Sequence, residues 1–456
     1  MNKFKGAEEN TTYTDNGAVA LTTSGRAVID FFFQAGTQLD PNVLKLLFGK
    51  AFKENPDWAI RTALWMRDIR GGAGRRANFR EILKVLEQVD PELTARVMAK
   101  VPELGRFDDL LVFQESYAKD IAAKIIHEAL EDNNALCAKW MPVKKAGDLW
   151  KRLDFANERA WRKYLVPKRQ TVEQDMSART WEKIEYPHVP SVASVRYQKA
   201  FMKHDTVRYG EYVDSLTKGE AKINAGAVYP FQVLGGGNPK VIDAQWDAQE
   251  NFMGDDNLLP MIDVSGSMWT PVQGSTSALN VAVSLGLYIA DKQQGDFHDL
   301  YLTFSERPTI ETLKGTSIVE KARNMKRAHW GMSTNIEAAY TLVLDRAVAH
   351  NVVQKEMPKY LLVLSDMQFD PAQDGGTISE SLMRAYKAAG YEMPKMVWWN
   401  LVGTHHENSV PVTATEDGNV LVSGFSTAIL RSVLKAEKFN PLELVLDVIL
   451  QDRYSF

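Results

Sequence analysis

The chain has 456 residues, which is too long for a single hydrophobic core and predicts two or three domains. Its 45% hydrophobic and 25% charged residues are typical of a globular protein, and its formal net charge of −4 excludes a strong overall attraction to nucleic acid or to membranes. The single cysteine, Cys137, excludes an internal disulfide and indicates a reducing compartment.

The first residues and the apolar stretches predict a cytoplasmic protein that does not contact a membrane. Residues 1–20 are polar and are interpreted as a flexible lead, without the apolar run of a signal peptide. The apolar stretch at 278–290 is interrupted by Asn280 and Ser284, and it is shorter than the roughly 20 residues that a membrane-spanning helix needs.

Residues 24–132 are predicted to be helical. Apolar residues recur at helical spacing, for example in the segments 43–52 and 60–66. Breakers separate such segments at Asp40-Pro41, Asn55-Pro56, Gly71-Gly72, Asp90-Pro91 and Pro102. The pattern predicts helices of roughly 10–15 residues joined by short turns, as in an α-solenoid or an irregular bundle.

The next segment, 133–235, keeps the helical pattern and becomes basic and aromatic. From Lys139 to Lys222 there are 18 Lys and Arg residues against 11 Asp and Glu residues. The cations could contact phosphates while the interleaved rings stack on bases. The other interpretation is that the rings pack between helices while the charges face water. A hinge is expected at 234–239, so that residues 21–240 form one helical domain.

From Leu258 onward, segments typical of strands and of helices alternate. Apolar strands are predicted at 258–264, 300–304, 360–364 and 396–401, and helices at 277–292, 335–349, 378–389 and 441–451. An edge hairpin is predicted at 412–422, centred on Asp417-Gly418. The alternation predicts a doubly wound, Rossmann-like parallel sheet covered on both faces, in a domain over 255–456 that ends in a helix. The predicted fold class is therefore α plus α/β.

Oxygen-bearing side chains occur where predicted strands end or predicted helices begin. Asp263, Ser265 and Ser267 follow the first strand, Thr334 precedes the second helix, and Asp366 follows the third strand. Ligand sites in open α/β sheets lie at the carboxyl ends of strands, and hydroxyl and carboxylate oxygens suit a hard cation. The sequence therefore predicts a site for Mg²⁺ or another divalent cation such as Mn²⁺. The other interpretation is that Asp263 and Ser265 only cap the following helix.

A glycine-rich basic turn at 67–76 joins two predicted helices. It lacks the Gly-Lys-Ser/Thr ending of a phosphate loop and does not follow a strand, so that type of nucleotide binding is not expected. Its arginines either face water at a helix end or contact phosphates of a nucleic acid. With the cations of 139–169 they form the candidate RNA-contacting set: Arg70, Arg75, Arg76, Lys139, Lys144, Lys145, Arg159, Arg162, Lys163, Lys168 and Arg169.

These motifs resemble two known kinds of module. Asp-x-Ser-x-Ser at Asp263, followed by Thr334 and Asp366, resembles the metal-ion-dependent adhesion site of von Willebrand factor A-type (vWA) domains. In that family the serines and the threonine contact the ion or its waters, and the aspartates bind mostly through water. The turn at 67–76, with 105–110, resembles the helical half of Ro autoantigen-type proteins, which pair a TROVE module, a ring of HEAT-like helices, with a C-terminal vWA domain.

The resemblance is closer to a less characterised branch of these proteins, found in phages, bacteria and plants. That branch has stretches similar to 138–142, 172–177, 186–191 and 422–426, and the likeness covers roughly residues 25–435. The helical half is shorter than in Ro, and the RNA-contacting residues of Ro are not matched one by one. The resemblance implies a TROVE-like, HEAT-like solenoid or ring followed by a vWA domain, with RNA as a partner.

Together these expectations describe a non-enzymatic ribonucleoprotein scaffold. The helical domain would bind RNA, and the Mg²⁺ site would bind a protein partner that supplies a carboxylate. Two alternatives are open. Many vWA proteins are similar in serving as partners of MoxR-type AAA+ ATPases, which would make this chain a protein-only adaptor. Hydrolysis by metal-activated water would make it a metal-dependent nuclease, although the nearest histidines in sequence, His298 and His329, are not evident general bases.

Overall fold

The computed structural model of the protein describes the backbone over most of its length. The described residues are 11–13, 19–21, 23–37, 39–144, 148–254, 256–273, 276–304, 307–327, 336–366, 378–402, 419–425 and 441–456. Lys145 and Thr334 of the predicted sites lie outside these ranges, as does the predicted turn at 417–418.

The part of the chain before residue 248 is helical, apart from a short ladder at its start. That ladder pairs β1 (Thr11–Tyr13) antiparallel with β2 (Val19–Leu21), within the segment interpreted as a flexible lead. The helices are α1 (Ala27–Ala35), α2 (Pro41–Glu54), α3 (Pro56–Arg67), α4 (Arg76–Val89), α5 (Pro91–Leu104), α6 (Lys119–Glu131), α7 (Ala135–Trp140), α8 (Leu149–Arg152), α9 (Glu158–Lys168), α10 (Val172–Ala178), α11 (Ser191–His204), α12 (Thr206–Thr217), α13 (Pro230–Val233) and α14 (Pro239–Asp247). Short 3-10 helices lie at Phe107–Phe113, Trp181–Lys183 and Tyr186–His188.

Three of these helices begin at the predicted Asp-Pro or Asn-Pro breakers. The side chains of Asp40, Asn55 and Asp90 each accept a hydrogen bond from a backbone N–H in the first turn, over 2.8, 3.0 and 2.9 Å. The proline that follows each cap takes the first helical position, where its missing N–H costs nothing. These breaks are confirmed. The break predicted at Pro102 is wrong, because Pro102 lies in the last turn of α5 and the helix continues to Leu104.

The second half of the chain contains a six-stranded sheet. Its strands are β3 (Leu258–Asp263), β6 (Leu300–Phe304), β7 (Thr309–Thr312), β8 (Tyr360–Ser365), β9 (Lys395–Asn400) and β10 (Asn419–Ser423), while β4 (Pro271–Gln273) and β5 (Thr276–Ser277) form a separate small ladder. The order across the sheet is β10-β9-β8-β3-β6-β7, and only the pairing of β7 is antiparallel. Every residue of β3 and β8 is buried, so both faces of the central sheet are covered.

Helices alternate with these strands. They are α15 (Ala278–Lys292), α16 (Ile318–Met325), α17 (Ile336–His350), α18 (Ile378–Ala388) and α19 (Pro441–Ile449), with 3-10 helices at Gly266–Trp269, Gly295–Phe297, Gln354–Glu356 and Asp452–Tyr454. The predicted class, α plus α/β, is confirmed, and the four predicted strands are found with ends that differ by one residue at most. Within the part of the chain that the structure describes, no helix has the length and apolar character needed to cross a membrane.

The second part of the predicted edge hairpin at 412–422 is found as a strand at the edge of the sheet. Residues 419–423 form β10, which pairs parallel with β9, whereas residues 412–418 lie outside the described residues. The Asp-Gly dipeptide is a local turn signal, while a parallel partner some twenty residues away leaves no local pattern. The antiparallel edge strand β7 and helix α16 were not predicted either.

A continuous apolar core joins the helices α1 to α9 to the sheet and to the C-terminal residues. A second, smaller core lies under the helices of 184–241. Polar contacts reinforce the junction of the two halves. The N–H of Gly36 donates to the Ser423 hydroxyl over 3.1 Å, and the guanidinium of Arg453 forms a two-point ion pair with the fully buried Asp68, whose carboxylate also accepts from the Tyr454 hydroxyl over 3.2 Å.

Candidate cation site and basic surfaces

The predicted Asp-x-Ser-x-Ser residues lie at the carboxyl end of β3, in the middle of the sheet. Asp263 is the last residue of this strand and is fully buried. Its Oδ1 accepts the N–H of Ser265 over 2.9 Å, and the hydroxyl oxygens of Ser265 and Ser267 are 3.0 Å apart. Ser265 precedes the 3-10 helix Gly266–Trp269, yet its side chain makes no capping hydrogen bond there. The two hydroxyls therefore hydrogen-bond to each other, and the Ser265 side chain does not cap this helix.

The neighbouring strand contributes a second acidic residue. β8 lies beside β3 in parallel, so the two carboxyl ends meet at one edge of the sheet. Ser365, the last residue of β8, donates its hydroxyl hydrogen to Asp263 Oδ2 over 2.6 Å, and the buried Asp366 follows directly. Ser365 was not predicted as a site residue. Its position at the end of the strand beside Asp263 is the signal that could have identified it. The expected fifth donor, Thr334, lies outside the described residues.

The buried carboxyl groups of Asp263 and Asp366 are unfavourable as charges at this edge of the sheet. Burial raises the pKa of Asp263 to about 7, and the negative charge of Asp366 adds to the rise, while hydrogen bonds from Ser365 and Ser265 act in the opposite direction. A divalent cation between these oxygens would relieve both the burial cost and the repulsion.

The donor set fits a hard cation. Among the described residues, no three His, Cys, Asp or Glu side chains are grouped so as to hold a metal, so an ion here would take hydroxyl as well as carboxylate oxygen atoms. Neutral hydroxyls leave much of the ion's charge unneutralised. One side of the site faces the solvent, because Ser267 is exposed and the neighbouring Trp269 is 66% exposed. The arrangement can therefore present a cation and an aromatic ring to an incoming acidic group.

The candidate RNA-contacting residues divide into two groups. Six of them are exposed: Arg70, Arg76, Lys144, Arg159, Arg162 and Lys163. The last three lie on α9 at spacings of three and four residues, which places them on one face of that helix. None of these three forms an ion pair with a carboxylate of the described residues. They form a compact positive surface, which we call the α9 face.

The other described members of the set serve the fold. Lys139 pairs with Glu173 over 2.7 Å. Lys168 Nζ donates to the carbonyl of Leu130 over 3.0 Å, and Arg169 donates to the carbonyls of Ala138 and Met141 over 3.1 and 2.7 Å. Such carbonyls at helix ends have no partner within their own helix, so cations supply one. Arg75, which is buried, is described below.

Five aromatic residues of the basic segment pack inside the protein. Trp161 is fully buried, and Tyr186, Phe201, Tyr209 and Tyr212 form the centre of the smaller core with ring contacts of 4.9 to 6.1 Å. This supports the interpretation in which rings fill the space between helices. Base stacking on these five rings would require the core to open.

The fold and the site define a protein of two joined parts, a helical part and an open α/β sheet with a cluster of oxygen-bearing side chains at the carboxyl ends of its central strands. Residues 14–103 and 118–253 match the family model described as Domain of unknown function (DUF2828), and residues 257–451 match the model described as Domain of unknown function (DUF7788).

The chain is also similar to individual proteins. "Uncharacterized protein L728" of Acanthamoeba polyphaga mimivirus is 29% identical over 506 aligned residues, which cover 96% of this chain and 87% of the relative. Among solved structures, the Ro (RSR) protein of Deinococcus radiodurans is similar over 90% of this chain and 91% of its own, with 15% identity and a TM-score of 0.41.

Proposed function

We propose that the protein is a non-enzymatic ribonucleoprotein scaffold, in which the helical part binds RNA and the α/β part recruits a protein partner through a divalent cation. The observation that carries the proposal is the convergence of Asp263, Ser265, Ser267 and the buried Asp366 at one solvent-facing edge of the sheet. The strand order around this edge, with a single antiparallel strand, supports a vWA-type domain, to which the sequence motifs are similar.

In this proposal Asp263 and Ser265 hold the loop, and Ser267 marks the open side where a partner enters. A bound Mg²⁺ or Mn²⁺ would supply a coordination position for a carboxylate of the partner. Trp269, exposed beside Ser267, would contact apolar groups around that carboxylate, because aromatic residues are enriched at the centres of protein interfaces.

A nuclease is disfavoured by the position of the nearest described histidine. His298 precedes β6, at the amino end of that strand, whereas Asp263 lies at the carboxyl end of the parallel strand β3. The two residues are therefore at opposite edges of the sheet. The ring of His298 hydrogen-bonds to the carbonyl of Gln293 over 2.9 Å, so it has a role in the local fold. His329 lies outside the described residues.

The RNA part of the proposal rests on the α9 face and is tested by the salt dependence of binding. Replacing Arg159, Arg162 and Lys163 by glutamine together should weaken binding of single-stranded RNA and lower the slope of log affinity against log salt by about 2, since each lost phosphate contact removes roughly 0.7. A variant with three exposed lysines of other helices replaced by glutamine is the matched control: Lys50, Lys53 and Lys124. An unchanged slope in the α9 variant, or no RNA binding at about 50 mM salt, would contradict the assignment.

The partner part is tested by retrieval of host proteins on the immobilised protein with Mg²⁺, with EDTA, and with nuclease. A scaffold should lose its RNA cargo to nuclease and its protein partner to EDTA, and Ser267→Ala should act like EDTA. A protein-only adaptor, such as one for a MoxR-type AAA+ ATPase, should respond to EDTA alone. If retrieval is unaffected by both EDTA and Ser267→Ala, the cation does not recruit the partner.

A further inference from the structure

A cavity of about 710 Å³ lies between the helical part and the β4–β5 ladder, and its wall is strongly basic. Five arginines line it, Arg67, Arg75, Arg76, Arg106 and Arg196, together with Tyr229, and no Asp or Glu is among its described lining residues. The volume lies within the range of roughly 300–1,000 Å³ that is common for small-molecule sites.

Arg75 is the most unusual of these arginines, because it is only 9% exposed and forms no ion pair with a carboxylate of the described residues. Its Nε donates to the carbonyl of Gly36 over 2.6 Å, and its guanidinium lies 4.1 Å above the ring centre of Phe425. Burial lowers the pKa of this guanidinium to about 10. A buried charge is normally paired with an opposite one, and a guanidinium has five N–H donors, so the side chain can bind an anion.

Two neighbouring arginines are held in place by acidic side chains that do not line the cavity. Arg67 Nε donates to the buried carboxylate of Asp109 over 2.7 Å, and Arg106 Nε donates to Asp108 over 2.9 Å while its guanidinium lies 3.3 Å above the ring centre of Trp140. These carboxylates are outside the lining of the cavity and orient the guanidiniums toward fixed positions. Preorganised arginines of this kind are the usual means of recognising phosphate groups.

Arg76 and Arg196 stand at the accessible side of the cavity. The pKa of Arg76 is lowered by partial burial and by the nearby charges of Arg106 and Arg80, while Asp108, which lies 4.0 Å from its guanidinium, acts in the opposite direction. Arg196 is exposed and forms no ion pair within the described part of the chain. An anion in the cavity would relieve this repulsion.

The first turn of α4 adds backbone donors to the same wall. The first three residues of this 14-residue helix line the cavity, and the side chain of the N-cap residue, Arg75, makes no capping hydrogen bond. The N–H groups of a first helical turn lack partners within the helix and attract anions. The arginine cluster and the uncapped turn are independent features that favour the same kind of ligand.

We propose that this cavity binds a phosphate group of a nucleotide-sized ligand, either a free nucleotide or the phosphorylated end of an RNA chain. The site includes Arg75 and Arg76 of the candidate RNA-contacting set but shares no residue with the α9 face or the cation site, so its phosphate binding can be tested separately from the function proposed above. It also uses no phosphate-loop motif, because side-chain guanidiniums provide most of the donors.

The test is calorimetric titration of the full-length protein with pyrophosphate in metal-free buffer, which removes any contribution of the cation site. Replacing Arg76 and Arg196 together by glutamine should weaken binding about 100-fold, roughly ten-fold for each lost charged hydrogen bond. Both side chains lie on the surface, so thermal unfolding should be unchanged. The matched control, Arg159→Gln with Arg162→Gln, should bind pyrophosphate within about two-fold of the unmodified protein.

Two further titrations identify the source of the phosphate. A nucleoside diphosphate that binds more tightly than a 5′-phosphorylated oligoribonucleotide indicates a free nucleotide, and the reverse order indicates an RNA end, provided that the 5′-hydroxyl oligonucleotide binds more weakly. Absence of pyrophosphate binding, or equal binding by the Arg76/Arg196 variant, would overturn the proposal. Loss of RNA binding by the α9 variant with retained pyrophosphate binding separates this site from the RNA surface.

Discussion

Binding of Mg²⁺ should weaken as the pH falls from 8 to 6, because a proton on Asp263 competes with the cation. With a pKa of about 7, this carboxyl is roughly 90% ionised at pH 8 and roughly 10% ionised at pH 6. Since a ligating carboxyl must be deprotonated, the apparent affinity should be about ten-fold lower at pH 6. Calorimetric titration with MgCl₂ at the two pH values measures this ratio. Equal affinities at both, or undiminished Mg²⁺ binding by Asp263→Asn, would refute the reasoning.

The same pKa shift has a consequence for stability in the absence of a cation. The pKa of Asp263 is raised by folding from 3.8 to about 7, so the folded state binds the proton more tightly than the unfolded state. The free energy of unfolding should therefore fall as the pH rises, by about 3 kcal/mol between pH 4.5 and 7.5 if the site acts alone. Urea denaturation in EDTA at pH 4.5 and 7.5 should show this loss, and Mg²⁺ should restore stability at the higher pH. The difference between the unmodified protein and Asp263→Asn separates this effect from other titrating groups.

Ser365 should influence the competition between the proton and Mg²⁺ for Asp263 without contacting the partner. Its hydrogen bond lowers the pKa of Asp263, so Ser365→Ala should raise that pKa further and weaken Mg²⁺ binding at pH 7. At pH 9, where Asp263 is ionised in both proteins, the difference should shrink. Ser284→Ala is the matched control, because Ser284 is buried in α15 and donates only to a carbonyl of its own helix, that of Val281. A pH-independent loss in Ser365→Ala would indicate damage to the fold and would contradict the positioning role.

Two further predictions concern the junction of the halves and the backbone. Arg453→Ala should lower the free energy of unfolding by about 3 kcal/mol, because it leaves the buried Asp68 without its cation, and a loss below about 0.5 kcal/mol in urea denaturation would be inconsistent with a buried pair. Gly72→Ala should cost about 3 kcal/mol, since a Cβ there would lie 1.9 Å from the carbonyl oxygen of Trp65. Gly49→Ala, in α2 with no atom of the described residues within 4 Å of the added Cβ, should instead gain about 0.5–1 kcal/mol, and equal effects of the two substitutions would contradict the steric explanation.

Most of the candidate cation site could be predicted from local sequence. Asp263, Ser265 and Ser267 lie within five residues, and the apolar strand before them predicts their place at the edge of a parallel sheet. Ser365 was missed because its contact with Asp263 joins residues that are far apart in the chain. The raised pKa of Asp263 was equally hidden, since it arises from burial and from a charge on another strand.

The candidate RNA residues show where local pattern fails. The density of positive charge placed eleven cations in one set. The sequence does not distinguish an arginine that faces water, such as Arg159, from one that donates to carbonyls at a helix end, such as Arg169. The shared face of Arg159, Arg162 and Lys163 follows from their spacing in one helix, because side chains three and four residues apart lie on the same side. The partners of Lys139 and Arg169 depend on which helices become neighbours, which spacing does not encode.

Hydrophobic periodicity and helix-breaking residues were sufficient to predict the alternation of strands and helices, the helix breaks at Asp40, Asn55 and Asp90, and the strand end that carries Asp263. These features depend on residues within one turn or one strand. The arginine-lined cavity, the packing of the C-terminal residues on Asp68 and the parallel pairing of β10 arose only when distant segments packed together. Burial and the proximity of charges are properties of that packing, and they govern which of the polar residues can bind a ligand.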